Sequence, residues 1–352
     1  MKVDLSDPEA IRRHDPGGML DAIAGLGSNV RDGYAAGLAA TGLPDLADVR
    51  GVVVCGMGGS AVAGDVLRTV FRGRLGVPVE VNRGPELPEH AGPHALVIGS
   101  SYSGNTAETL AAFREATKRG CRGIVVTSGG QIATEAEEAG VPVVRVPSGF
   151  QPRAALGWLA FTMLGALEAA GLLPPLEPDV DEAATEADAR AASCGPDAPA
   201  AENPAIQLAE AIGDRIPVMW GADGIGAAAA ARWKTQMNEN GKVPAWWSSM
   251  SELDHNEVVG WTQPFGRGHA VIALRHDAED GEFAARFPLS LEIAADAGAT
   301  THEVWATGQS ALARLVSLIA FGDVVSAYVA IRKGVDPTPV DVIQRLKAAL
   351  AT

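Results

Sequence analysis

The chain has 352 residues, of which 47% are hydrophobic and 20% charged, and its formal net charge is −15 at pH 7. That length supplies two domains with buried cores, and the composition excludes a disordered chain. The negative balance excludes the basic face that nucleic acid selects, and it obliges any phosphate site to bring its own local donors. Cys55, Cys121 and Cys194 are widely spaced and make neither a metal motif nor an even disulfide set. The opening MKVDLSDPEAIRRHDPGG has acids where a secretion signal needs an apolar core. No uninterrupted apolar run reaches the ~20 residues of a bilayer span. The expectation is a soluble protein of a reducing cytoplasm.

In chain order, short β-rich apolar runs alternate with helical patterns, the signature of parallel strands joined by crossover helices. The first half predicts strands near 51–55, 77–81, 95–100, 122–127 and 142–146, with helices near 60–71, 105–118 and 131–139. A long apolar helix from Arg153 to Ala170 closes this half. A Pro-, Ala- and acid-rich stretch follows, read as a connection carrying a helix near 180–193. The second half repeats the first. VVVCGMGGSAVAG at 52–64 lies over PVMWGADGIGAAA at 217–229, with Gly56 over Gly221 and Gly59 over Gly224. LVIGSSYSGNTAETLAAF lies over AVIALRHDAEDGEFAARF at 270–287, and a second apolar helix, Ala311 to Lys333, ends the copy. The predicted organisation is a first subdomain at 1–152 with N-terminal helices and phosphate loops, a long helix and acidic connection at 153–203, and a second subdomain at 204–352. The fold class is α/β, each half a mostly parallel, doubly wound sheet between helix layers.

Two loops carry the chemistry. GMGGSAVAGD leaves a strand through Gly58, Gly59 and Ser60, and GSSYSGNTAETL brings Ser101, Ser103 and Thr106, with Asn105 or Thr106 placed to cap the next helix. Glycine lets backbone approach a ligand, and a helix starting at once aims free N–H groups at it. Neutral hydroxyls and amides without lysine suit a phosphate monoester. The spacing matches neither a nucleotide P-loop nor a dinucleotide fingerprint. Either loop alone reads equally well as a tight turn. The pair, at the carboxyl ends of neighbouring strands, converges on the crevice where open α/β sheets bind ligands. The second copy lacks the Ser/Thr loop.

GMGGS followed by SYSGNTAET resembles the phosphosugar loops of the sugar isomerase (SIS) domain. WKTQMNENGK, ELDHNEVVGW and GVDPTPVDVIQRLK are similar to segments of the bifunctional phosphoglucose/phosphomannose isomerase family. The resemblance covers nearly the whole chain. It implies two SIS-type subdomains, a homodimer, no metal or organic cofactor, and interconversion of fructose 6-phosphate with glucose 6-phosphate and mannose 6-phosphate. The alternative from another class is a non-catalytic sugar-phosphate sensor, which need not keep the four reactive residues named next. Enzymes that add an amide nitrogen or form heptoses would want a glutaminase domain or metal-ligand spacing.

The match of NEN to the family's catalytic segment makes Glu239 the candidate base. It ends a helix predicted over 226–238, where a carboxylate meets the negative end of the helix dipole. His255 is the ring-opening candidate, since imidazole donates and accepts near neutral pH, and Glu252, Asp254 and Glu257 are all placed to orient it. Lys347 resembles the family's C-terminal lysine near the ring oxygen, and Arg153, at the start of the long helix, its enediolate-stabilising arginine. The resemblance also implies a small threonine that admits the mannose epimer, and here Thr338 or Val340 fills that position. His255 is expected to reach the sugar of the partner subunit from a long loop, 241–254, carrying Trp246, Trp247 and Met250. His14, His90, His94, His269, His276 and His302 lack such context and read as structural.

Overall fold

Strands buried on both faces carry near-continuous apolar runs, and GVVVC, ALVIG of ALVIGS and GIVV of RGIVVT are such runs. In the computed structural model, which describes residues 2–350, all three are strands at the expected positions. The side chains of Gln344, Lys347, Ala348 and Leu350 lie outside those described. The chain divides into two bodies: Gly25–Asp188 with Gly308–Val316, and Met1–Ala24 with Ala189–Thr307 and Ser317–Thr352. The short helices α1 (Pro8–Arg13) and α2 (Met19–Ala24) belong to the second of these.

The first body contains α3 (Leu26–Leu38), β1 (Gly51–Cys55), α4 (Gly59–Val70), β2 (Val79–Asn82), β3 (Ala95–Ser100), α5 (Ala107–Lys118), β4 (Arg122–Thr127), α6 (Gly130–Glu138), β5 (Val143–Arg145) and α7 (Leu156–Ala169). Its sheet runs β2-β1-β3-β4-β5, all parallel, with Val53 opposite Val97 and Ile98 opposite Ile124. The order reverses at β1 and β3, so the loops after these two strands leave the sheet side by side at its carboxyl edge. Apolar nearly all round, α7 is accordingly buried along its length. It meets α3 backbone to backbone: a Cβ on Gly37 would come within 2.3 Å of the Thr162 carbonyl oxygen. The helix begins at Leu156 rather than Arg153, and Arg153 lies in the preceding turn.

Helix α8 (Glu177–Cys194), longer than the predicted 180–193, leads on to α9 (Pro204–Ile212), β6 (Ile216–Gly221), α10 (Ile225–Glu239), β7 (Trp246–Ser249), α11 (Met250–Leu253), α12 (Glu257–Gly260), β8 (His269–Arg275), α13 (Gly281–Asp296), β9 (Thr300–Trp305), α14 (Ala311–Arg332) and α15 (Asp341–Leu350). The second sheet, β7-β6-β8-β9, is also all parallel and repeats the order β2-β1-β3-β4 of the first. The glycines that open the two equivalent helices, Gly58 and Gly224, both have positive φ and sit one residue out of the register laid over the sequence. The stretch 241–254 is not a loop. It holds an edge strand, β7, paired to β6 with Val218 opposite Trp246, and then α11. Met250 is fully buried in that body's own core, whereas Trp246 and Trp247 remain 53% and 40% exposed. At 22 residues α14 is long and apolar enough to cross a bilayer, which the uninterrupted-run reading missed because Arg314 and Asp323 punctuate it; 94% of its apolar stretch is buried.

Candidate functional site

The first body brings its two hydroxyl-bearing loops together through a direct bond. Ser60, buried at the start of α4, accepts a hydrogen bond from the Tyr102 amide at 3.2 Å. Ser101, also buried, donates to Thr106 Oγ1 at 3.2 Å and accepts from the Gly104 amide at 3.1 Å. Thr106 is the N-cap of α5, yet its hydroxyl makes no cap bond, and neither α4 nor α6 has a side-chain cap. The other cap candidate, Asn105, instead accepts from the Gln131 amide at 3.0 Å. Uncapped helix starts leave amide hydrogens for a ligand. Ser103 is exposed, its oxygen only 3.4 Å from the Asn105 amide nitrogen, and is open to solvent as a ligand group should be.

Glycine makes these approaches possible. Gly58 adopts φ 54°, and a Cβ on Gly59 would meet the Pro152 carbonyl at 2.9 Å and the Arg153 Cα at 3.4 Å. The segment carrying Arg153 therefore rests on the first loop. A third loop, after β4, crosses the second one: a Cβ on Gly104, at φ 69°, would lie 1.8 Å from the Gly129 carbonyl oxygen. Tyr102 ties the arrangement to the segment before α7, donating to the Pro147 carbonyl at 3.0 Å and accepting from the Phe150 amide at 2.8 Å. Burial pushes its phenol above the ordinary value. Neither Tyr102 nor the Gly129–Gly130 turn was singled out in sequence; only an aromatic inside a Ser/Gly loop hinted at the first. Asp65 on α4 binds Arg68 at 3.0 Å and also Arg83, the residue just after β2. Burial raises its carboxyl pKa against the pull of both guanidiniums.

The place equivalent to the second loop in the other body is closed by its own charges. Arg275 ends β8, bonds Glu279 at 2.9 Å and Glu303 at 2.5 Å, and lies 4.0 Å and 4.6 Å from the ring centres of Phe287 and Trp305. No anion cradle of hydroxyls forms there.

Glu239 is the last residue of α10, half-buried, as predicted from the helix end. The helix is locked onto α14 along its length. Arg232 and Asp323 form a buried bidentate pair (3.1 and 2.7 Å), Trp233 donates to the Leu318 carbonyl at 2.8 Å, and Asn240 donates to Ser326 Oγ at 3.0 Å. The Lys242 ammonium caps the Glu239 carbonyl. His255 sits exposed in the turn between α11 and α12. The three acids around it are committed elsewhere. Glu257 accepts from Trp220 Nε1 at 2.9 Å, from Trp261 Nε1 at 3.3 Å and from Ser248; Asp254 accepts from Ser290 at 2.9 Å and meets Arg286 at 3.4 Å; Glu252 accepts from Asn256 at 2.6 Å. None of them orients the imidazole. Thr338 turns its side chain toward Gly17, where a Cβ would come within 2.3 Å of its hydroxyl. Lys347 lies on α15, and its side chain is outside those described. Glu239, His255 and Lys347 thus belong to one body, and the phosphate-type loops with Arg153 to the other. The cysteines are free thiols, and burial pushes the Cys55 thiol up to about 12. Among the described residues, no cluster of three or more metal-ligating side chains is found.

Both halves of the chain match known family models. Residues 45–146 match the model of the SIS domain, and residues 201–350 match that of the bacterial phospho-glucose isomerase C-terminal SIS domain. The bifunctional phosphoglucose/phosphomannose isomerase of Caldicellulosiruptor bescii is 36% identical over 95% of this chain and 99% of its own. The protein of the same name from Aquifex aeolicus is 35% identical over 87% of this chain and 92% of its own. In fold, the chain is similar to a hypothetical protein from Thermus thermophilus, with a TM-score of 0.78 and 19% identity over 97% of this chain and 93% of that one. With 36% identity sustained over essentially the whole of both sequences in the first of these relatives, this chain belongs to the bifunctional phosphoglucose/phosphomannose isomerase family.

Proposed function

We propose that the protein interconverts fructose 6-phosphate with glucose 6-phosphate and with mannose 6-phosphate, by proton transfer through an enediol. The observation that carries this reading, beside family membership, is the joined pair of hydroxyl loops: Ser60 buried and bonded across to the Tyr102 amide, Ser101 buried and bonded within its own loop, Ser103 exposed, and the Arg153 segment laid on Gly59. The phosphate is held by Ser60, Ser101, Ser103, Thr106 and the backbone at Gly58 and Gly59. In the aldose-to-ketose direction, Glu239 takes the proton from carbon 2 of the open chain. The carbon–carbon double bond forms as the carbonyl electrons move to O1, and Arg153 stabilises the charge there. The same proton is then returned to carbon 1 while the hydroxyl proton of O2 passes to O1, which becomes a hydroxyl as the O2 carbonyl forms, and the ketose results. His255 and Lys347 open the ring beforehand by moving a proton between the anomeric hydroxyl and the ring oxygen. General-base transfer of this kind contributes about 10²–10⁴-fold to rate.

The same reading makes the protein a cytoplasmic homodimer in which His255 serves the partner's sugar. Two adjacent exposed tryptophans on the edge strand β7 support it, because aromatics are enriched at subunit contacts and an open strand edge invites cover. A coupled assay with the three hexose phosphates tests the reaction. Folded protein that converts no pair of them overturns this reading in favour of a sugar-phosphate binder.

A further inference from the structure

Among the described residues, Lys242 is the one non-glycine with a positive φ, 53°. That conformation is disfavoured for any residue bearing a Cβ, and Gly241 stands next to it in the sequence, free to take such a position without strain. An outlier held in place by its surroundings points to what it does there. From this backbone the side chain folds back, and its ammonium donates to three carbonyls: Glu239, Pro337 (2.9 Å) and Pro339. An ammonium has three hydrogens, so the group is spent on the chain itself and does not act on substrate. The Glu239 carbonyl is one of the helix-end acceptors that lack an intrahelical donor, and a cation there complements the dipole. Pro337 and Pro339 have no N–H of their own, and the amide between them, Thr338, is turned onto Asp336 at 2.8 Å. Lys242 is thus a bond from the end of α10 to the 337–339 segment.

We infer that Lys242 is a positioning residue, whose ammonium staples the backbone of Glu239 to the Pro337–Pro339 segment and so fixes where the carboxylate meets carbon 2. The inference rests on the assignment of Glu239 as the base. Glucose and mannose 6-phosphates differ only at carbon 2. Protonation of the enediol on one face gives one epimer and on the other face its partner. The placement of the base therefore enters the product ratio as well as the rate. A lysine serving only the stability of the turn alters neither in the molecules that fold.

Two variants separate these roles. Lys242→Met keeps the length and removes the hydrogen bonds; Lys242→Gly removes them as well but relieves the backbone strain, so it carries the test if the first does not fold. Each is assayed with fructose 6-phosphate, reading both aldose products, with inorganic phosphate as a competitive probe and Glu239→Gln in parallel. The expected result is a kcat lower by about tenfold or more, the scale on which small misplacements act. KM and phosphate inhibition should stay within about twofold, because the phosphate contacts lie elsewhere. The ratio of glucose to mannose 6-phosphate should move by about threefold or more, as loss of orientation rather than of binding predicts. A folded Lys242→Gly with unchanged kcat and unchanged ratio overturns the staple, and the base assignment survives if Glu239→Gln is inactive. If Glu239→Gln keeps its turnover, the base assignment falls and takes this inference with it.

Discussion

Ser60 and Ser103 are both expected to hold the substrate phosphate, but only Ser60 is also buried in the bond that joins the two loops. Ser103 is exposed, and it accepts a long hydrogen bond, 3.4 Å, from the Asn105 amide, so the fold asks little of its oxygen. Ser103→Ala should remove one charge-assisted hydrogen bond to phosphate, about 1.5–3 kcal/mol. At about 1.4 kcal/mol per factor of ten, inhibition by inorganic phosphate weakens roughly 10- to 150-fold. Stability should stay within about 0.5 kcal/mol of wild type, as for a surface change. Ser60 is buried, and its oxygen is the acceptor for the Tyr102 amide. Ser60→Ala should lose a similar amount of affinity and, in addition, about 1–3 kcal/mol of stability, because a buried donor is left without a partner. The assay pairs the inhibition constant of phosphate against fructose 6-phosphate with urea unfolding of the free protein. An unchanged inhibition constant for Ser103→Ala, or a Ser60→Ala no less stable than Ser103→Ala, refutes the division of labour between the two hydroxyls.

Glu239→Gln should keep KM within a few-fold and lower turnover by about 100-fold or more, with exchange of the carbon-2 proton into solvent lost in step; retained turnover removes Glu239 from the mechanism. Mixing inactive Glu239→Gln and His255→Ala subunits should restore about a quarter of wild-type activity, since random pairing makes about half the dimers mixed and each then holds one intact site. Subunit exchange verified by mass with no recovery places His255 in the site of its own chain. His302 is held below its ordinary pKa of 6.5, first by burial and then by Arg215. The folded protein thus binds that proton less readily than the unfolded chain. The contribution is full above about pH 6.5 and is lost as pH falls through the folded value. His302→Gln should flatten the fall in melting temperature across that window, and an unaltered pH profile counts against it.

What could be read from the sequence was decided by where the information sits. Strands β1, β3 and β4 were visible because burial on both faces forces an unbroken apolar run. β7 was hidden because Trp-Trp-Ser-Ser lies on an edge, half in solvent, with no alternation to betray it. The internal repeat nevertheless reserved a place for it, since β2 follows α4 as β7 follows α10. The hydroxyls at the two helix starts were legible as local chemistry. The partners of Glu252, Asp254 and Glu257 were not, because most come from other strands and helices: Trp220 from β6, Ser248 from β7, Ser290 and Arg286 from α13. Lys242 was silent for the same reason, its two remote carbonyls lying more than ninety positions along the chain.

The crossing of Gly104 over Gly129 sets a rule for anyone who would redesign specificity in this scaffold. No side chain fits on Gly104 or on Gly130 at that contact, so the turns after β3 and β4 are one unit, although they are separate in sequence. A library that varies Ser101–Thr106 while holding Ser128–Gly130 fixed samples only the sequences that the second turn already permits. Grafting a foreign sugar-recognition loop onto this sheet requires transplanting both turns together, with Gly104 and Gly130 retained.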